Sequence, residues 1–512
     1  MTDVLDAAKH GQVGILRQLI DGKADVDISD KDGKTALTWA AYSGQTACVQ
    51  LLIEANAKID AKHNYGYTAL MWAAFQGHTD CLQLLIDAKA DIEARDNFNE
   101  TAVVVAAWQA QAKSLQMLLH AKADLSVQDK VNKTALIRAT ESGHADCVRM
   151  LIDAQAAIDI KDKDSRTALT WAVYYGKTDC AQLLMDARAD VDESDKYDYS
   201  ALIWAAFKGH LACLRLLLDS GADIEAEDKN NKTALLWAAL NGRDECLKML
   251  LDADADIDAS DKHGFTALIW ATVNDRVECV QALLEANADV ETANNDGLTA
   301  LVVAAKHGRL ACARMLVEAH ADVHARDRES KTALIHAALG GHAECVQYLL
   351  EMKADIDARD SGGESALIWA AKKGHIACAP ILLADKLDLA CDATDALQGM
   401  ISACPTLSTR YKLASYLLMY AAEQDAVDAA LFLLGAKASL YTADAEGRNA
   451  LMSAVLHGSA NVARALVNAK GDIEAKDSSG KTAFMLAVES GHADCAQILI
   501  DANAFTGVHK HH

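Results

Sequence analysis

A threonine or serine returns every 33 residues, at positions 35, 68, 101, 134, 167, 200, 233, 266, 299, 332 and 365, without a slip. No other feature restricts the fold as much, because a long chain that repeats at fixed spacing stacks equivalent units instead of building unrelated domains. The type unit is Asp195–Glu227, DKYDYSALIWAAFKGHLACLRLLLDSGADIEAE. Ser200 is placed to cap a helix beginning at Ala201, with Leu202, Ala205 and Ala206 on one face, and Gly209 stops it. A second helix from about Leu211 turns Cys213, Leu216 and Leu217 inward and leaves through Ser220-Gly221, a left-handed exit. The polar stretch that follows reads as extended and turn-like. Two residues before each phase mark stands Gly33, Gly66, Asn99, Asn132, Ser165, Asp198, Asn231, Gly264, Gly297, Ser330 or Gly363, which marks a left-handed turn at the tip, with the two serines the weaker fits.

Written as G-x-TALxWAA-xx-GHxxCxxLLxxxADIDAxD, the pattern resembles the ankyrin repeat, and about fifteen copies cover almost the whole chain. The resemblance implies an all-α solenoid of stacked helix-turn-helix units with β-hairpin tips. Two positions depart from the family. Its Thr-Pro-Leu-His reads Thr-Ala-Leu followed by an apolar residue or threonine, so the helix-starting proline and the structural histidine are both missing.

Residues 1–29 read as an N-terminal capping repeat, 30–389 as regular repeats, 390–412 as an insertion and 413–512 as three further repeats with a C-terminal cap. The insertion is marked by the lost period: after Ser365 the next good match is YLLMYAA at Tyr416. It contains Cys391, Cys404 and Pro405, and Ala396–Ser402 has the composition of a short helix. Pro380 is expected to weaken the helix before it. Stacking is expected to continue past the insertion, and the terminal FTGVHKHH reads as a frayed tail.

A formal net charge of −24 with no basic block argues against a nucleic-acid surface. Much of the acid lies in the ADIDA-like segments, at Asp91, Glu93, Asp223, Glu225, Asp256 and Asp258, and reads as a solvated edge. No run of eighteen apolar residues occurs, so the expectation is a soluble intracellular protein of the cytoplasm with no membrane insertion. Eleven of the thirteen cysteines fall in one column, too far apart between units to bridge, and read as packing residues of a reducing compartment. The recurring His-x-x-Cys, as in His78/Cys81 and His210/Cys213, offers two ligands per unit where a structural zinc needs four, so no metal is expected. No catalytic fingerprint interrupts the period, and neither an enzyme nor a cofactor is implied.

Trp39, Trp72, Trp171, Trp204, Trp237, Trp270 and Trp369 form a column on the first helix and read as a core ladder between units, with Arg138 and His336 as exceptions. Aromatics also gather where the core does not ask for them, at the far end of the first helix and at the tips: Tyr42, Tyr65, Tyr67, Phe75, Phe98, Trp108, Tyr174, Tyr175, Tyr197, Tyr199, Phe207 and Phe265. In the family that this chain resembles, such positions line the concave binding surface. The tips add Lys31, Lys34, Lys130, Lys133, Lys163, Arg166, Lys196, Lys229, Lys232 and Lys262, which suits a partner with some negative charge. The reading is therefore a monomeric, non-catalytic scaffold or adaptor that holds a protein partner in a groove over residues 30–275. A spacer rod with no ligand and an inhibitor that covers an enzyme are the alternatives.

Overall fold

The computed structural model describes residues 3–373, 375, 377–378, 381–382, 397–398, 401–402, 407–444 and 446–508. They fall into two compact units, Met1–Lys262 and His263–His512. In the first, eight helix pairs follow one another, from Val4–Lys9 with Val13–Asp21 to Ala234–Asn241 with Asp244–Asp252. First helices pack on first helices and second helices on second helices of the next pair.

The phase-mark residue starts each regular unit as the period requires. Ser200 Oγ accepts the Ile203 amide at 3.3 Å and Thr68 Oγ1 the Met71 amide at 3.3 Å, a cap that contributes about 1 kcal/mol. Gly209 closes the first helix in the left-handed region at φ 81°, and Gly221 follows the second at φ 79°. Other units make that second exit with a non-glycine residue, among them Asn56, Lys89 and Arg188, each accepting a cost of roughly 1 kcal/mol.

The core lies between paired helices. Leu37, Leu70, Leu136, Leu202 and Leu235 are sealed on the first helix, and the cysteine column is buried on the second. All eleven column cysteines are unpaired, and burial pushes Cys147, Cys180 and Cys246 up to about 11. These thiols pack as small apolar groups.

The turn column is left-handed throughout, Ser165 (φ 62°) and Ser330 (φ 60°) included. At Gly66 a Cβ would meet the Asn97 amide nitrogen at 2.6 Å, so that position needs glycine for space as well as for φ. Among the described residues the tips form no sheet; six close through an isolated bridge such as Ser194 to Ser200. What joins neighbouring tips is one backbone hydrogen bond per step: Asn97 N to Tyr65 O at 3.0 Å, Lys130 N to Phe98 O at 2.9 Å and Lys163 N to Val131 O at 3.1 Å.

The second unit repeats the plan from Ala267–Val273 with Val277–Glu285 to Ala366–Lys373, and resumes with Leu407–Glu423. That helix begins nine residues before Tyr416 and takes in the end of the stretch that the period marks as inserted. Residues 397–398 and 401–402 are helical, within the expected Ala396–Ser402 segment. Pro380, Cys391, Cys404, Pro405 and the final four residues lie outside the described residues. No helix among the described residues is long and apolar enough to cross a membrane.

Candidate functional site

Five residues before nine of the eleven phase marks stands an aspartate that organises the tip, with His63 and Asn294 in the other two places. Asp195 Oδ1 accepts the amides of Tyr197 (2.9 Å) and Tyr199 (3.1 Å), and its Oδ2 accepts Trp204 Nε1 at 3.3 Å. The same three-way contact recurs at Asp30 with Trp39, Asp162 with Trp171, Asp228 with Trp237 and Asp360 with Trp369. One carboxylate therefore ties the turn to the first helix nine residues on, the task left open by the missing histidine. The exceptions in the tryptophan column keep the link: Arg138 bonds Asp129, and His336 bonds Asp327 at 2.8 Å.

Sequence reading treated the acid as a solvated edge and missed this column, although it keeps the period of the threonines with breaks only at His63 and Asn294. The tryptophans themselves are not a dry ladder. Trp171 and Trp204 are buried, but Trp39, Trp72, Trp237, Trp270 and Trp369 are half-buried along the edge where the tips meet the first helices.

The structure sorts the twelve expected site residues into two sets. Tyr42, Tyr67, Phe75, Tyr174, Tyr199, Phe207 and, in the second unit, Phe265 are half-buried against tryptophan. Tyr42 meets Trp72 edge-on with ring centres 4.9 Å apart, Tyr174 meets Trp204 at 4.8 Å, Phe207 meets Trp237 at 5.1 Å, and Phe265 stacks on Trp270 at 4.7 Å. Burial pushes the Tyr199 phenol up to about 12, helped by Asp228 and Asp195. The helix-end rings thus serve the packing between units, contrary to the expectation that nothing there demands an aromatic. Such pairs add roughly 0.5–1.5 kcal/mol beyond area burial.

The second set faces solvent: Tyr65 (63% exposed), Phe98 (55%), Tyr197 (49%), Tyr175 (44%) and Trp108 (38%). Tyr65, Phe98 and Tyr197 occupy the same tip position in their units, and the carbonyl of each accepts the next tip's amide.

The loop histidines hold the helix ends from behind. His78 Nε2 lies 3.1 Å from the Tyr42 carbonyl oxygen, His144 Nε2 3.0 Å from that of Trp108 and His210 Nε2 3.3 Å from that of Tyr174. Gln111 does the same for Phe75. That is what the His-x-x-Cys spacing builds, and among the described residues no group of three or more His, Cys, Asp or Glu is arranged to hold a metal.

Several tip cations are already engaged. Lys34 Nζ sits 4.3 Å from the Trp39 ring centre and 5.2 Å from that of Trp72, and Lys133 lies 3.8 Å from Trp171 while bonding Glu141. The Arg166 guanidinium lies against Trp171, Tyr174 and Trp204 and pairs with Asp195. These three charges are engaged within the chain, each contact contributing roughly 0.5–2 kcal/mol.

A family model described as ankyrin repeats (3 copies) matches residues 4–96, 103–195, 188–261, 255–327, 319–395 and 418–509. Residues 396–417, outside every match, overlap the expected insertion. No curated protein matches the chain.

Proposed function

This chain belongs to the ankyrin-repeat family, whose members are generally non-catalytic protein-interaction modules, and from that premise we propose a scaffold or adaptor that docks a protein on the tips of its first unit. The observation that carries this reading is the row Tyr65, Phe98 and Tyr197. These are large rings, 49–63% exposed, on tips joined by cross-tip hydrogen bonds and held by Asp96 at Phe98, by Asp195 at Tyr197 and by His63 at the turn of Tyr65. Exposed aromatics on a rigid support lose little entropy on binding, and such rings are enriched where interfaces hold their affinity.

The half-buried rings behind them act as support for the docking row. The partner is a protein whose contact surface is largely apolar or aromatic, because aromatic rings are what these three tips hold out to solvent. The proposal includes a monomer acting in the cytoplasm, with nucleic acid excluded by the charge of −24. A photo-reactive phenylalanine analogue at position 98 or 197 tests it: a partner cross-links there and not at position 182, which is exposed on a second helix. Cross-linking at 182 alone would move the interface off the tips.

A further inference from the structure

We propose that the repeat spanning residues 96–123 is a weak link built into the first unit: its helix pair, Ala102–Trp108 with Ala112–His120, opens while the repeats on either side stay folded. The exposed Phe98 and Trp108 belong to it, so under the docking reading above the middle of the row stands on the part that opens. The opening itself does not depend on that reading.

Among the described residues, four departures from the period fall together here. Thr101 stands at the start of its helix but makes no side-chain cap, whereas the other seven first helices of the first unit are each capped, those of Thr68 and Thr134 on either side included. The tip is not tied to the helix. Asp96 Oδ1 accepts the Phe98 and Glu100 amides at 2.8 and 2.7 Å, but Val105 stands in the tryptophan column, and Asp96 Oδ2 is buried without a hydrogen bond. Ala110 takes the left-handed turn into the second helix at φ 58°, where the other repeats of the first unit have glycine, as at Gly77 and Gly143. Ser114 replaces the column cysteine, and its hydroxyl is buried without a partner.

Each departure takes stability from the same helix pair, because a lost cap, a left-handed alanine and a buried hydroxyl without a partner all carry a cost. The first helix also reads AVVVAAW, and its three consecutive valines lose side-chain freedom in a helix. Among the described residues of the first unit, five buried side-chain atoms lack a hydrogen bond. Asp96 Oδ2, Thr101 Oγ1 and Ser114 Oγ are three of them, and no other repeat of that unit holds more than one.

The links that this repeat keeps run outward to its neighbours. Asn97 N donates to Tyr65 O at 3.0 Å and Lys130 N to Phe98 O at 2.9 Å, Arg138 meets Glu100 at 3.3 Å, and His144 Nε2 lies 3.0 Å from the Trp108 carbonyl oxygen. The weakness therefore lies in the repeat's own helices. In a stacked array the stability of each repeat adds to that of its interfaces, so the repeat with the weakest helices opens first.

Hydrogen exchange of the full-length protein, followed by mass spectrometry and corrected for the intrinsic rate of each amide, tests this. Exchange within residues 102–119 is expected to run about tenfold faster than within 201–218, the equivalent helices of the type repeat. Ala110→Gly/Ser114→Cys restores two column residues and should slow it by about tenfold while leaving 201–218 unchanged. Gly209→Ala/Cys213→Ser transplants the same two departures and should speed exchange within 201–218 by about tenfold. Equal protection of the two segments, or a repair that leaves exchange within 102–119 as it was, overturns the proposal; should the transplant fail to fold, the repair decides. Faster exchange within 102–119 with capture untouched by truncation of Tyr65, Phe98 and Tyr197 keeps the weak link and removes the docking row. Equal protection with capture lost on that truncation does the reverse.

Discussion

The indole Nε1 of Trp171 donates to Asp162 Oδ2 at 2.9 Å, across a turn whose amides the other oxygen of the same carboxylate accepts. One side chain thereby fixes the tip backbone, the tip's angle to the first helix and the orientation of a ring on which Lys133, Tyr174 and Tyr175 are packed. Of the docking tips proposed here, that of Tyr197 is built on the same contact, through Asp195 and Trp204.

Asp162→Asn tests that contact with almost no change of shape. The amide can still receive the turn amides through its oxygen but sets an N–H against the indole N–H, leaving a buried donor unpaired. A loss of about 1–3 kcal/mol is expected. Urea denaturation followed by tryptophan fluorescence measures it, and an unchanged midpoint would mean that the indole contact contributes nothing.

His63 stands where other units have the aspartate. Its Nδ1 accepts the Tyr67 amide at 2.9 Å, but Trp72 Nε1 is left buried without a partner. His63→Asp restores an acceptor for both the Tyr65 amide and the indole, against the loss of ring contacts with Tyr65, Tyr67 and Trp72. The expected net effect is a gain of about 1 kcal/mol, read as a higher thermal midpoint; a lower one would show that the ring contacts outweigh the hydrogen bonds.

The helical plan was legible in the residues because every part of it recurs: the capping threonine, the small left-handed turn residue, the leucine and cysteine columns. The aspartate column was nearly as periodic, but acids at a solvent edge look alike whether or not they accept an indole, and only the geometry separates Asp195 from the solvated Asp223. The exposed and supporting aromatics were not separable either. Tyr197 and Tyr199 lie two residues apart in a turn, yet one faces water and the other lies on Trp204. Glu100 broke its column in plain view, but its pairing with Arg138, one unit on, shows only in the fold.

Burial raises the Glu100 carboxyl to about 7; Arg138 opposes the rise, and Asp96 and Asp129 add to it. The folded state then holds a proton that the unfolded chain releases near the ordinary value of 4.5. Glu100 therefore costs no stability below that value, and its penalty grows as pH rises toward 7 and is complete above it. Compared at pH 5 and pH 8, the stability of Glu100→Gln relative to the parent should improve by about 2–4 kcal/mol at the higher pH. A difference independent of pH would place the Glu100 proton outside this window.

The account's central claim is that the tips bind and the rings behind them support, and one comparison separates the two roles. Protein captured by the intact chain is set against that captured by Tyr65→Ala/Phe98→Ala/Tyr197→Ala and by Phe207→Ala, with the thermal midpoint of each recorded. The triple variant is expected to lose the partner with its midpoint nearly unchanged, and Phe207→Ala to lower the midpoint by the cost of a half-buried ring, roughly 1–3 kcal/mol. Undiminished capture by a folded triple variant would contradict the claim.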